Sequence, residues 1–558
     1  MNRLQEETNV GNYVWRGRKK IDLVKEEDRF TVISPDPNMI EKLSDLTGVH
    51  ELSSLTPNIY KVKTSSTERE QLMSIMRSQN TNLVVHHAYR PKGSDGTIYY
   101  LTDQINLSFK AGTPETKIEQ LLEKYKLKLI QAYDQPSLTY LVGVTSDSKE
   151  NPIKVSNRLM EEPEIEYAEP NMINRFQPMY IPTDNLFPKQ WHLNPTAGLF
   201  VDRQASVFAP NAWDITKGNR GIVVAVIDDG FDLSHPDFQG EGKIVFPKDY
   251  SDNDQWPYPE GEDYHGTPCA GVAVAEENGQ GVVGVAPGCS LMPIRINFNL
   301  IMDDRKFKEI FEETARHADV ISCSWGPAPA YAPLPAIVED TFTRISVSGG
   351  PRGKGCVICF AAANFNAPIN DPNPNQVFRW RDYEGRARET RGEILNGNAV
   401  HPNVIAVAAS TSVNRHAEYS NWGKEISVCA PSNNFDSRLN RYAPGLGIWT
   451  TDNENGGFDA GIFTGRFGGT SSATPLVAGI SALVLSANPN LTANEVKEIL
   501  QRTADKIVDE QPDLEGNTRG KYDVNGHSQW FGYGKVNAFK AVQEAKRLVE
   551  PAREPQPI

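Results

Sequence analysis

The chain has 558 residues, a formal net charge of −14 at pH 7, an apolar content of 39% and a charged content of 23%. This length predicts more than one domain, and the composition is that of a soluble globular protein. The acidic balance argues against nucleic acid as the main partner and suits calcium binding, and no apolar run reaches the ~18–20 residues that a membrane helix needs.

The first residues, Met1-Asn-Arg-Leu-Gln-Glu-Glu, lack the apolar core of a signal peptide. Such a start fits a protein that stays inside the cell, a trimmed chain, or unconventional export. We expect a cytoplasmic or periplasmic location, a monomer, and no contact with membrane.

Two α+β modules are predicted in the N-terminal third. Residues 1–28 form an arm, either loose or a hairpin, before the modules at 29–98 and 99–175. Each module repeats strands around two helices in the order of a small ferredoxin-like domain. One larger α+β domain is the alternative. The predicted strands are 29–33, 58–63, 83–85, 104–109, 139–144 and 164–168, and the helices are 38–47, 67–79, 114–125 and 152–160.

Residues 176–188 contain several prolines and are predicted to be a linker. The next domain, residues 189–548, contains continuous apolar strands that alternate with helices. This pattern is typical of a parallel sheet with helices on both faces. The predicted strands are 222–227, 291–296, 319–325, 357–363 and 403–409, and the helices are 306–317 and 336–345. Residues 364–398 and 433–467 are predicted to be surface loops, and 549–558 a tail.

The six cysteines lie within apolar runs and are absent from the N-terminal third of the chain. They indicate buried free thiols rather than a disulfide framework. Cys356 and Cys359 have CxxC spacing, but they lie in a predicted strand. Residues three apart in a strand face opposite sides, so this spacing does not favour a zinc or redox site.

Four polar side chains occur where strands end or helices begin. Asp228 follows the strand 222–227, and Asn364 follows the strand 357–363. His265 enters a helix lined with small residues, and Ser471 is expected just ahead of an apolar helical run. Active residues of an open α/β sheet gather at the carboxyl ends of its strands. An acid, a histidine and a serine in this chain order, with an amide donor, are one arrangement of an acyl-transfer site.

These motifs resemble those of the subtilisin family of serine peptidases. Val226-Ile-Asp-Asp-Gly230 resembles the aspartate block, His265-Gly-Thr-Pro-Cys-Ala-Gly271 the histidine block, and Gly469-Thr-Ser-Ser-Ala-Thr-Pro475 the serine block. Ala363-Asn364 resembles the oxyanion block, although the family usually has glycine where Ala363 stands. The resemblance implies that Ser471 is the nucleophile, His265 the general base and then acid, Asp228 its orienting carboxylate, and Asn364 an oxyanion donor.

The kexin and furin branch is closest in detail. Asp229, Ser324, Trp325 and Gly326 lie in motifs similar to the substrate-binding segments of that branch. The acidic run that follows Trp-Gly-Pro there is replaced by Ala328-Pro-Ala-Tyr-Ala-Pro333 here, and we recognise no C-terminal β-sandwich domain. The resemblance therefore leaves a preference for cleavage after a basic residue open, and Asp229, Glu262 and Asp263 are the acids that would favour a basic residue next to the scissile one.

The resemblance further implies a calcium cofactor and a self-inhibited precursor. Asp184, Asp237 and Asn278 align with the tight calcium site of the family. Residues 104–171 resemble the ferredoxin-like propeptide that inhibits the peptidase within the same chain, and the linker 176–188 would contain the maturation site. Polypeptides are the expected substrates. The alternative is a catalytically silent subtilisin-fold protein that serves as a binding module or scaffold.

Overall fold

The computed structural model describes residues 10–17, 19–34, 36–79, 83–93, 98–133, 138–174, 180–194, 198–298, 303–382, 384–437, 441–510, 512 and 518–549. The chain divides into two compact units, Met1–Pro178 and Met179–Ile558. The first residues of the predicted arm, the start of the predicted linker and nearly all of the predicted tail lie outside the described residues.

One antiparallel sheet organises the N-terminal unit. Its strands are β1 (Tyr13–Arg16), β2 (Lys19–Ile33), β3 (Glu51–Thr56), β4 (Ile59–Lys63), β5 (Val84–Pro91), β6 (Tyr99–Phe109), β7 (Leu127–Ala132), β8 (Thr139–Val144) and β9 (Ile165–Asn174). Its helices are α1 (Pro37–Ser44), α2 (Arg69–Gln79), α3 (Glu115–Lys124) and α4 (Pro152–Leu159). The strand order is β3-β4-β2-β5-β6-β8-β7, with β1 beside β2 and β9 beside β6.

Three hydrophobic clusters lie among the described residues of this unit. One includes Phe30 of the first predicted module, and another includes Leu107 of the second. The third joins Tyr89 of β5 to Leu101 of β6, and β5 and β6 also pair, so the two modules share a single sheet. Strand β2 begins at Lys19, so the later part of the predicted arm forms a β1–β2 hairpin within the sheet.

A seven-stranded parallel sheet forms the centre of the second unit. Its strands are β10 (Val223–Asp228), β11 (Lys248–Asp249), β12 (Ser290–Arg295), β13 (Val320–Cys323), β15 (Val357–Ala361), β20 (Val404–Ser410) and β21 (Val428–Pro431). They follow the order β11-β12-β10-β13-β15-β20-β21 in the sheet. All six neighbouring pairs are parallel, as the continuous apolar runs predict.

Helices cover both faces of this sheet. The helices are α5 (Ala209–Trp213), α6 (Gly266–Val274), α7 (Asp304–His317), α8 (Ala336–Ser348), α9 (Gly397–Val400), α10 (Thr470–Ala487), α11 (Ala493–Thr503) and α12 (Ala538–Arg547). Val224 and Val226 of β10 point into a core shared with α6 and α10, and Ala225 and Ile227 point into a core shared with α7 and α8. Short 3₁₀ helices occupy Ser146–Ser148, Phe187–Lys189 and Pro236–Phe238.

The prediction of two plain surface loops was wrong. The first contains β16 (Asn370–Asp371), β17 (Val377–Arg381), β18 (Ala387–Arg391), β19 (Ile394–Asn396) and α9. The second contains β22 (Phe435–Asp436), β23 (Arg441–Tyr442), β24 (Ile448–Thr451) and β25 (Phe463–Phe467); β14 (Tyr331–Ala332) pairs with β19. Except for α9, these elements are strands of two to five residues, which are too short for an alternating pattern to be detected from the sequence.

The free cysteines are all buried, as predicted. Cys359 lies in the core on one face of the sheet and Cys356 in the core on the other, so the CxxC spacing brings no two thiols together. By length and composition α10 could cross a membrane, but 89% of it is buried inside the unit, as for a core helix of a globular domain.

Candidate active site

Asp228 is the last residue of β10, near the centre of the parallel sheet, and its side chain is fully buried. Its Oδ1 accepts a hydrogen bond from His265 Nδ1 at 2.8 Å and another from the Asp229 backbone N–H at 3.0 Å. The charge of Asp228 fixes the tautomer of His265, because only a protonated Nδ1 can donate to a carboxylate.

His265 caps helix α6, and its side chain is 24% exposed. Burial lowers the pKa of the imidazole, but the charge and hydrogen bond of Asp228, together with the contact from Cys269, outweigh it, so the pKa lies well above its ordinary value. A Cβ on Gly266 would lie 2.3 Å from the carbonyl oxygen of Gly230. Glycine at this position therefore lets the start of α6 approach the aspartate loop.

Asp229 is nearly buried and holds the start of the same helix. Its Oδ1 accepts hydrogen bonds from the backbone N–H of His265 at 3.1 Å and of Gly266 at 2.7 Å. Burial and the neighbouring Asp228 raise the pKa of Asp229 to about 7. The predicted substrate-binding carboxylate is thus engaged with helix N–H groups in this structure.

Ser471 is the second residue of α10, whereas the sequence placed it just ahead of the helix. The difference arises because Gly469, with a φ of 72°, serves as the N-cap and lets the helix begin at Thr470. The Ser471 hydroxyl donates to the carbonyl oxygen of Ser324 at 3.2 Å. The serine therefore lies at the positive end of a long helix, where backbone N–H groups lack intrahelical acceptors.

Pro475 lies inside α10 and has no N–H to donate to the Ser471 carbonyl, four residues earlier. That carbonyl instead accepts from Ser324 Oγ at 3.0 Å and from Cys269 Sγ at 3.6 Å. The same Cys269 sulfur lies 3.7 Å from His265 Nδ1. One thiol therefore contacts both His265 and Ser471, so the histidine and the serine are neighbours.

Asn364 follows β15 and is tied to the start of α10. Its Oδ1 accepts from the Thr470 backbone N–H at 2.8 Å and from Thr470 Oγ1 at 2.9 Å. These two bonds identify Oδ1 as the acceptor end of the amide and leave the NH2 group as its donor end. Ala363, immediately before, has a φ of 82°, a conformation that favours glycine.

The predicted substrate segment follows β13. Ser324 is bonded to Ser471 as described, and Gly326 is exposed. Trp325 is partly buried: its Nε1 donates to the Ile227 carbonyl at 2.7 Å, and its ring packs edge-on against Phe360 at 5.2 Å. The indole is thus both a core contact and a partly exposed surface near Ser471.

Asp184, Asp237 and Asn278 lie together, as required of a shared cation site. Asn278 donates from its backbone N–H to Asp184 at 3.1 Å and from Nδ2 to Asp237 at 2.9 Å. Both carboxylates are buried, and the second oxygen of each accepts no hydrogen bond from the described residues. Burial, together with the nearby charges of Asp184 and Glu276, raises the pKa of Asp237 to about 7. Crowded carboxylate oxygens, one on each aspartate without a hydrogen bond from the described residues, suit a hard cation such as calcium.

Arg295 was not singled out from the sequence, although it lies on a predicted strand. Its guanidinium is buried and contacts four carboxylates of the acidic segment at 2.7–3.1 Å; they belong to Asp249, Asp252, Glu260 and Asp263. Arg295 Nε also donates to the Asp229 carbonyl at 2.9 Å. The sequence signal that could have identified Arg295 is a single basic residue at the end of an apolar predicted strand, in a chain that also contains an acid-rich segment at residues 249–263.

Comparisons with known proteins give a family match in each of the two units. Residues 219–534 match the subtilase family (peptidase S8), and residues 89–171 match the fervidolysin N-terminal prodomain. A calcium-dependent protease of Trichormus variabilis is 34% identical over 82% of this chain and 65% of its own length, and a thermophilic serine proteinase of Bacillus sp. AK1 is 29% identical over 71% and 78%. Kexin of Saccharomyces cerevisiae is 28% identical over 65% of this chain and 40% of its own.

The chain thus spans just under two thirds of the length of that calcium-dependent protease. A crystal structure of a serine protease of Aeromonas sobria aligns with a TM-score of 0.53 at 20% identity, covering 69% of this chain and 70% of that one. This structural likeness supports the same fold.

Proposed function

Since the chain belongs to the subtilase family, we propose that it is a serine endopeptidase that hydrolyses polypeptides through Asp228, His265 and Ser471. The observation that carries the proposal is the 2.8 Å hydrogen bond between Asp228 and His265, beside a serine at the start of a buried helix. A silent binding protein would not need a histidine held in the tautomer that leaves Nε2 free to accept a proton.

In the proposed reaction Ser471 Oγ attacks the substrate carbonyl carbon while His265 Nε2 takes its proton. The hydroxyl turns from the Ser324 carbonyl toward the imidazole when substrate binds, since catalytic hydrogen bonds often form only in the complex. The tetrahedral oxyanion accepts hydrogen bonds from Asn364 Nδ2 and the Ser471 backbone N–H. His265 then protonates the leaving amine and activates the water that hydrolyses the acyl-enzyme.

The substrate chain would lie along residues 324–326, with Trp325 forming part of the wall. Asp229 would act there chiefly through the helix that it caps, because its carboxylate is bonded to the N–H groups of His265 and Gly266.

Calcium is the proposed cofactor, held by Asp184, Asp237 and Asn278. The buried, unpaired carboxylate oxygens support this assignment, and homologues are named calcium-dependent proteases. The ion would neutralise the carboxylates and stabilise the loop around Asn278.

A self-inhibited precursor is the proposed form of synthesis. The match of residues 89–171 to a prodomain supports an inhibitory role for the N-terminal unit. Cleavage within the linker 176–188 would release the peptidase.

Hydrolysis of an unfolded protein such as casein tests the proposal. The full chain is incubated with calcium or with a chelator, and we expect hydrolysis with calcium and a fragment that begins in the linker. Ser471→Ala should abolish hydrolysis while leaving the thermal unfolding temperature unchanged. Equal hydrolysis by Ser471→Ala would contradict the proposal, and no hydrolysis by a folded, linker-cleaved wild type would favour the silent scaffold.

A further inference from the structure

The backbone around Asn364 is held by one neighbouring segment. Residues 419–422 run alongside residues 363–369, and Asn421 N–H donates to the Ala363 carbonyl at 2.9 Å. Trp422 N–H donates to the Ala367 carbonyl at 3.0 Å. These bonds fix the backbone before and after the asparagine that would supply an oxyanion donor.

The buried side chain of Asn421 makes a second set of contacts with the backbone that follows Asn364. It is 4% exposed, and its Oδ1 accepts from the backbone N–H of Phe365 at 2.9 Å and of Ala367 at 3.0 Å. Asn421 therefore holds the carbonyl of the residue before Asn364 and the N–H of the residue after it.

These contacts of Asn421 matter because the backbone at Ala363 is strained. Ala363 has a φ of 82°, which places its Cβ close to the backbone and persists only where the surroundings enforce it. Without the side chain of Asn421, the N–H groups of Phe365 and Ala367 lose their acceptor, and the turn that starts at Ala363 is then free to relax toward ordinary dihedral angles although the backbone bond to the Ala363 carbonyl remains. Such a rotation would swing the Asn364 amide away from its bonds to Thr470.

The same stretch of chain also contacts Gly469, two residues before the other proposed oxyanion donor, the Ser471 N–H. Ser432 Oγ donates to the Gly469 carbonyl at 2.7 Å, and Asn433 Oδ1 accepts from Gly469 N–H at 3.1 Å. Tyr419 OH lies 2.6 Å from Ser432 Oγ. Both sides of the proposed oxyanion hole are thus attached to residues 419–433.

We propose that Asn421 is a positioning residue that sets the Asn364 amide in the oxyanion hole. The inference rests on the proposed peptidase function and adds to it a residue outside the four motif blocks. Asn421 touches no reacting atom in this account. It acts only through Asn364, and this dependence is what an experiment can isolate.

The test is a double-mutant cycle in the full chain with calcium, using Asn421→Ala, Asn364→Ala and the double variant. Active sites are counted by fluorophosphonate labelling, and kcat and KM are measured on a peptide amide. We expect Asn421→Ala to lower kcat about 10- to 100-fold with KM changed less than about twofold, as for a misplaced donor. In the Asn364→Ala background the same change should alter kcat less than about twofold.

Asn488→Ala is the matched control. Asn488 is 3% exposed and makes two hydrogen bonds to backbone groups, but it lies beyond the far end of α10. It should leave kcat unchanged. Asn421→Asp, which keeps the acceptor oxygen, should retain more of kcat than Asn421→Ala even though a buried carboxylate lowers stability.

Equal losses of kcat in both backgrounds, or a loss confined to KM, would overturn the inference. If Asn421→Ala does not fold, the cycle with Asn421→Ser decides in the same way, since serine is too short to reach both N–H groups. Hydrolysis by the wild type that is lost in Ser471→Ala keeps the proposed function whatever the cycle shows. A failure of the inference alone is therefore recognisable.

Discussion

Asp228 and Asp237 are both fully buried in the second unit, but their surroundings differ. Asp228 faces a base, because His265 donates to it at 2.8 Å. Asp237 faces an amide, Asn278, and two further carboxylates, those of Asp184 and Glu276, which raise its pKa. Each aspartate has one oxygen without a hydrogen bond from the described residues.

The difference indicates what each buried charge can do. A carboxylate beside an imidazole can stabilise the proton that the imidazole gains, so its effect should appear in the rate of a reaction. A carboxylate crowded by other acids needs a cation, so its effect should appear in stability and in calcium dependence. The predictions below separate these two effects.

The largest effect is expected from Asp228→Asn. The variant should lose about 10⁴-fold in kcat, because the amide favours the wrong tautomer of His265. Its calcium-dependent unfolding temperature should match that of the wild type, which calorimetry can check. A loss below tenfold would show that the carboxylate does not orient the base.

Asp237→Asn is expected to change calcium-dependent stability rather than the rate of the chemical step. Calcium at 100 times its dissociation constant should stabilise the wild type by about 2.7 kcal/mol, and the variant should lose most of this increment. Thermal unfolding with and without chelator measures it. Glu277→Gln, which changes a half-buried acid outside the proposed ligand set, is the control and should retain the increment.

The pH dependence of kcat/KM should also distinguish Asp228 from Asp237. The pKa of His265 lies above its ordinary value because of Asp228, despite burial. The imidazolium cannot accept a proton, so kcat/KM should rise with pH through an acid limb above pH 6.5. In Asp228→Asn that limb should move to lower pH, whereas in Asp237→Asn it should stay. An unmoved limb in Asp228→Asn would assign the raised pKa to another cause.

The smallest effect is expected at Ala363. Ala363→Gly should stabilise the second unit by about 1 kcal/mol, because the left-handed conformation with a φ of 82° is easy for glycine and strained for alanine. Chemical denaturation measures the change. Ala362→Gly, in an adjacent residue without a positive φ, should destabilise instead, and stabilisation by both would reject strain as the reason.

Long apolar strands and amphipathic helices were predictable, because their periodicity extends over many residues. The strand predicted at 222–227 is observed at Val223–Asp228, and the helix predicted at 306–317 is observed at Asp304–His317. The short strands β16 to β19 were missed, because they depend on partners that only the folded chain provides. The motifs and their order along the chain indicated four site residues, Asp228, His265, Asn364 and Ser471. The structure places these residues together, and their catalytic roles are predictions.

The residues around that site could not be predicted from local sequence. Asn421 lies 57 positions from Asn364, and nothing in Tyr-Ser-Asn-Trp-Gly indicates which backbone its side chain binds. The contacts of Arg295 likewise depend on four carboxylates that belong to another segment of the chain. Contacts of this kind depend on tertiary packing, which single-sequence patterns do not encode.

Covalent labelling of Ser471 tests the central claim most directly. The calcium-loaded, linker-cleaved chain is treated with a fluorophosphonate, and the modified peptide is located by mass spectrometry. The account predicts one adduct per chain at Ser471 and at least a thousandfold slower labelling in His265→Ala, about the loss expected without the base. A chain that stays unlabelled, or that labels equally fast without His265, would contradict it.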